Sequence, residues 1–171
     1  MNTNLTLLAI IEILSALSMG IFIMAATYQV LKYIGKKRYD IHAHNQAYSI
    51  FTASILFAIG YTMSSAIQPL LSLFRLLAVK EEESLSLALR FITTGGIYIG
   101  TAFVVGALIC VIGILVYMWL TPVDEFAELK NNNLAVALVV GSIIITLSLL
   151  TKDGVALLLE SFIPYPQQYP R

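Results

Sequence analysis

Four long apolar stretches, divided by three short polar connections, set the frame of this chain. They run approximately from Leu5 to Ile34, Gln46 to Phe74, Leu87 to Leu120 and Leu134 to Leu150. Crossing a hydrocarbon core of about 30 Å takes roughly 20 helical residues, and each stretch is of that order. Lipid offers no partner to a backbone N–H or C=O, so a spanning segment must be a helix or part of a closed barrel. The apolar runs are continuous and lack period-two alternation, which excludes the barrel. The predicted fold is all-α: a polytopic bundle of four transmembrane helices forming a single membrane domain over residues 1–171.

Polar residues interrupt two of the runs after about five turns. These are Ser64, Ser65 and Gln68 in the second run, and Lys152, Asp153 and Gly154 in the fourth. Further apolar residues follow each interruption, so a short amphipathic or re-entrant piece is expected at the membrane surface after both spans. The stretch after Met1-Asn2-Thr3-Asn4 has no cationic n-region and is longer than a signal h-region, so it is expected to be retained as the first span.

A repeat lies across this pattern. Asp40-Ile41-His42-Ala43-His44-Asn45-Gln46-Ala47 aligns with Glu128-Leu129-Lys130-Asn131-Asn132-Asn133-Leu134-Ala135, and the same register pairs Ala53 with Gly141 and Ser54 with Ser142. The implied units cover about residues 5–78 and 87–163, followed by a tail over 164–171 rich in Pro and Tyr. Two spans per unit make the units parallel rather than inverted. In each copy an acidic residue stands five positions before an Asn that opens an apolar run. Asn45 and Asn133 are therefore predicted N-caps, with the acidic group favoured by the helix dipole. The same pair is a candidate polar site for a partner or a lipid headgroup.

Composition agrees with the pattern: 58% of residues are hydrophobic and 12% charged, with mean hydropathy +0.85. Ten basic residues balance ten acidic ones, leaving no cationic surplus for a phosphate backbone, so nucleic acid is not an expected partner. The expected partners are the lipid bilayer and either further copies of the chain or another membrane protein. The first connection holds Lys32, Lys36, Lys37 and Arg38, the densest cationic cluster. Positive-inside bias then puts the first and third connections in the cytoplasm and both termini outside. Tyr28, Tyr33, Tyr117 and Trp119 are expected to form an aromatic belt on the cytoplasmic side.

Thr121-Pro122, then Glu128-Leu129-Lys130-Asn131-Asn132-Asn133 and a span rich in Ala and Gly, resemble a bacterial inner-membrane family known as domain of unknown function 350. The resemblance implies small four-helix proteins of two tandem two-helix units, each with an acidic residue, an Asn and an Ala at the start of its second helix. His42-Ala43-His44-Asn45-Gln46 departs from the family's run in the first unit. Some relatives are encoded near envelope-stress or membrane-remodelling proteins, which implies a structural or accessory role in the bacterial inner membrane.

Candidate chemistry is sparse. Glu12 is the carboxylate well inside a span, where a charge costs about 2 to 3 kcal/mol or more. It either faces the bundle interior as a functional group, in the pathway of a small channel or transporter, or lies close enough to the amino end to reach the interface. Gly95, Gly106 and Gly113 share a face of the third span, with Gly96 and Gly100 in GxxxG spacing beside them; with Gly141 in the fourth, they are candidates for close helix packing. That pattern predicts a central third span and a self-associating protein. Cys110 reads as a small packing residue. His42 and His44 lack the further ligands that a zinc site needs. Glu81, Glu82 and Glu83 read as a solvated loop. No nucleophile motif or phosphate loop is present, so no cofactor, metal or enzymatic activity is expected.

Overall fold

A computed structural model describes residues 3–41, 44–80, 84–121 and 124–163, with the side chains of 3–16 and of several residues around the second connection outside the description. In chain order the helices are α1 (Thr3–Arg38), α2 (Gln46–Met63), α3 (Ile67–Lys80), α4 (Ser84–Leu120), α5 (Glu125–Lys130) and α6 (Leu134–Glu160), with a 3-10 turn at Ser64–Ala66 between α2 and α3. No strand occurs among the described residues. Four candidate membrane spans result, at Leu17–Lys37, Gln46–Phe74, Leu89–Leu120 and Leu134–Glu160.

The two interruptions behave differently. After α2 the chain tightens at Ser64–Ala66 and continues as the amphipathic α3. The cause is Pro69, fully buried in the first turn of α3. Proline has no N–H for the carbonyl four residues back, and its ring crowds that carbonyl. The second interruption is overturned, because α6 runs unbroken through Lys152, Asp153 and Gly154 to Glu160. A polar side chain does not remove a backbone hydrogen bond, and Gly is tolerated in membrane helices. Lys152 instead places its Nζ 4.5 Å from the Tyr61 ring centroid, while its carbonyl accepts from Ser65 Oγ at 3.2 Å.

α1 runs antiparallel to α2. The Tyr48 hydroxyl donates to the Leu31 carbonyl at 2.6 Å near one end, and Gly60 faces Met24 near the other. α2 and α6 lie side by side and parallel: Ser54 meets Gly141 and Ser65 bonds Lys152, an offset of 87 at both places. α4 closes the group, touching α2, α3 and α6. Its Tyr98 ring stands edge-on to Phe162 at 6.2 Å, and its Gly113 packs on Ile144, which makes α4 antiparallel to α6.

The expectation that the third span is central is therefore corrected. The most apolar window of the Gln46–Phe74 span is 56% buried, against 28% for that of Leu89–Leu120 and 33% for that of Leu134–Glu160. α2 alone is flanked by α1, α4 and α6, with α3 continuing from its end. α1 packs mainly on α2 and leaves Ile21, Phe22 and Val30 exposed to the bilayer. The aromatic belt also needs correction. Tyr28, Tyr33 and Trp119 are exposed, but Tyr117 is 6% exposed and belongs to the core, because its position on α4 points between helices rather than outward.

Candidate functional site

A polar cluster lies where the two halves meet, at the starts of α2 and α6. Asn45 is the N-cap of α2: its Oδ1 accepts from the Tyr48 N–H at 2.7 Å. Its Nδ2 donates across to the Leu129 carbonyl at 2.6 Å and the Lys130 carbonyl at 3.1 Å. One side chain thus closes its own helix and ties it to the last turn of α5. Asn133 caps α6, accepting from Ala135 and Val136 N–H at 3.1 and 3.4 Å. It also donates to Glu128 Oε2 at 2.7 Å. The acidic residue five positions ahead therefore acts in this copy as a hydrogen-bond acceptor as well as a charge near the dipole. In the other copy Asp40 makes an exposed ion pair with Lys130 at 3.5 Å, a contact worth little in water.

Between the caps, three consecutive asparagines divide the work. Asn131 is the C-cap of α5. Asn132 takes the left-handed conformation at φ 61°, which Asn adopts more readily than most residues because its short polar side chain bonds locally. With its N–H on the Leu129 carbonyl at 3.1 Å and that of Asn133 on the Glu128 carbonyl at 3.0 Å, the turn is a Schellman motif with Asn in the usual Gly position. The Asn132 side chain then turns outward, and its Oδ1 accepts from the Ala47 N–H at 2.9 Å. Two orphan donors in the first turn of α2 are so filled, one from each half of the chain.

Apolar contacts hold this corner in place. Phe126 of α5 stacks on Tyr39 at 4.1 Å and meets Phe51 edge-on at 6.1 Å. Leu129 is fully buried, and Glu125 is 2% exposed. Glu125 belongs to the acidic third connection, with Asp124 and Glu128 close by, and the sequence holds no local signal for its burial. Gly35 is another residue that the sequence reading missed: a Cβ there would lie 2.6 Å from the Tyr48 ring. Only a glycine lets the tyrosine cross α1 to reach the Leu31 carbonyl. Gly35 interrupts a strongly basic segment, and that is the one local hint of a close approach.

The predicted packing glycines fall into two groups. A Cβ at Gly113 would come within 2.7 Å of Ile144 Cγ1, at Gly95 within 3.3 Å of Leu70, and at Gly106 within 3.4 Å of Thr62; at Gly141 it would collide with Ser54 Oγ. Gly96 and Gly100 have nothing within 4 Å. Glu12 lies on α1, but its side chain is outside the described residues, as are His42, Glu81, Glu82, Glu83 and the 164–171 tail. An apolar cleft of about 110 Å³ opens between α1 and α2, lined by Met19, Met24, Gly60, Met63 and Ser64 among others. It suits a hydrocarbon chain better than a substrate that polar groups must orient.

These features define a polytopic helical membrane protein whose polar corner joins two halves. Residues 86–162 match the family model described as Domain of Unknown Function (DUF350). Comparison with curated proteins and with solved structures gave no match.

Proposed function

We propose that the protein is a non-enzymatic structural or accessory component of the bacterial inner membrane, built from two parallel two-helix repeats, that associates with itself through the outward face of α4. The observation that carries this reading is the division among the glycines. Those facing α2, α3 and α6 are occupied by close neighbours, whereas Gly96 and Gly100, four residues apart, present open space. The other glycines with open space, Gly20 and Gly154, have no second open glycine on their helices. In lipid, helix association depends on close van der Waals approach, and a small-xxx-small pair on an open face is what allows it. The repeat is supported by the parallel α2 and α6 contact at nearly the sequence offset of the aligned motifs. The non-enzymatic reading is supported by the use of Asn45, Asn132, Asn133 and Glu128 as caps and braces.

Native mass in lipid nanodiscs or mild detergent tests self-association. The wild type is expected to be larger than a monomer, and Gly96→Leu with Gly100→Leu to shift it to monomer while its melting temperature stays within about 2 °C, as for substitutions away from packed sites. A monomeric wild type overturns the reading.

The same proposal places the first and third connections in the cytoplasm, on the strength of Lys32, Lys36, Lys37 and Arg38 beside the first span. Single cysteines at Lys37 and Gln168 provide the test in intact cells. An impermeant thiol reagent is expected to label only position 168, and labelling of position 37 alone would reverse the topology.

A further inference from the structure

We propose that the connection-side end of α1 is a binding site for the phosphate headgroup of an anionic phospholipid. Lys32, Lys36 and Lys37 are all exposed on the last two turns of α1. None of the three has a carboxylate partner among the described residues. The nearby acids are engaged elsewhere, Asp40 with Lys130 and Glu128 with Asn133. Among the described residues no carboxylate neutralises these three lysines, in a chain whose formal net charge is zero.

The arrangement is more specific than a diffuse basic patch. Lys32 and Lys36 are one turn apart on one flank of α1, where side chains at i and i+4 are neighbours and can bracket a single phosphate. On the adjoining flank Tyr33 and Lys37 have the same spacing. Lys37 Nζ donates to the Tyr33 hydroxyl at 2.6 Å and lies 5.0 Å from its ring. The tyrosine oxygen is then the acceptor in that bond, so its own O–H remains free to donate to a phosphate oxygen. The cations stand at a helix C-terminus, where the dipole favours positive charge. Exposed Tyr28 and Tyr33 mark headgroup depth. α1 packs mainly on α2, and Lys32, Tyr33, Lys36 and Lys37 are all exposed, so lipid can reach both flanks.

Lipid bound to the purified protein in phosphatidylcholine vesicles containing a minor share of phosphatidylglycerol provides the test, by mass spectrometry of what copurifies. Phosphatidylglycerol is expected to be several-fold enriched over the bulk ratio, since each lysine near an anionic surface contributes roughly a factor of five. Lys32→Gln with Lys36→Gln and Lys37→Gln should return the ratio to bulk, while Lys130→Gln should leave the enrichment intact. Unchanged melting of the triple variant in pure phosphatidylcholine would separate loss of the site from loss of fold. Enrichment that survives the triple substitution, or its absence in the wild type, overturns the proposal. So does displacement of the lipid by equimolar inorganic phosphate, which would mark a free-anion site.

Discussion

Replacing Gly113 with leucine is expected to remove the native bundle, lowering stability by 3 kcal/mol or more, above the usual range of about 1 to 3 for an overpacked core. The first added carbon would lie 2.7 Å from Ile144 Cγ1 and 3.2 Å from Ile144 Cα. A side chain can rotate away, but a Cα cannot, so α4 and α6 would have to separate along their shared face. Packing at that face is what holds helices together in lipid, so the loss extends beyond one contact. Gly106→Leu should be milder yet still disruptive, because its nearest neighbours are Thr62 Cβ at 3.4 Å and Ile59 Cα at 3.7 Å. Leu108→Ala, at a position 54% exposed to the membrane, should cost least. Thermal unfolding in a single detergent would rank the three, and a Gly113→Leu protein with wild-type stability would refute the packing account.

Asn45→Ala is expected to destabilise the protein by about 2 to 3 kcal/mol, combining a lost cap of about 1 with two lost cross-braces of about 0.5 to 1 each. The substitution strands the Tyr48 N–H and the Leu129 and Lys130 carbonyls at once. Asn133→Ala should cost about 1 to 2 kcal/mol, since its bonds are to its own helix and to Glu128. Asn45→Asp separates the two roles. Aspartate caps as well as asparagine, but it cannot donate, and it would set a carboxylate against two carbonyl oxygens. Asp is therefore expected to be no better than Ala at this position. Full rescue by Asp in chemical unfolding would mean that Asn45 is only a cap.

The contrast between its two roles shows where sequence reading stops. A cap is local: an Asn directly before an apolar helical run serves N–H groups two and three residues on, so Asn45 and Asn133 could be read as helix starts. The braces to Leu129 and Lys130 span 84 and 85 residues, and no local pattern encodes which carbonyls will face Asn45. Glu125 makes the same point from the other side, because burial of a carboxylate at the start of α5 depends on how Phe126 docks against Tyr39 and Phe51. Gly35 needed the path of the Tyr48 ring, and Tyr117 needed the rotation of α4.

By itself the sequence determined that the chain is helical, that four segments are long and apolar enough to span, and where two of them begin. Those features follow from a solvent that accepts no unpaired backbone group, so each span must satisfy itself from its own residues. Only the tertiary structure decided that α2 rather than α4 is the most buried helix, that α6 continues through Lys152 and Gly154, and that Gly113 is packed while Gly96 is open. In lipid, apolar side chains cover the outside of a bundle as readily as its inside, so apolarity does not say which face turns inward; that is settled by helix-to-helix contact.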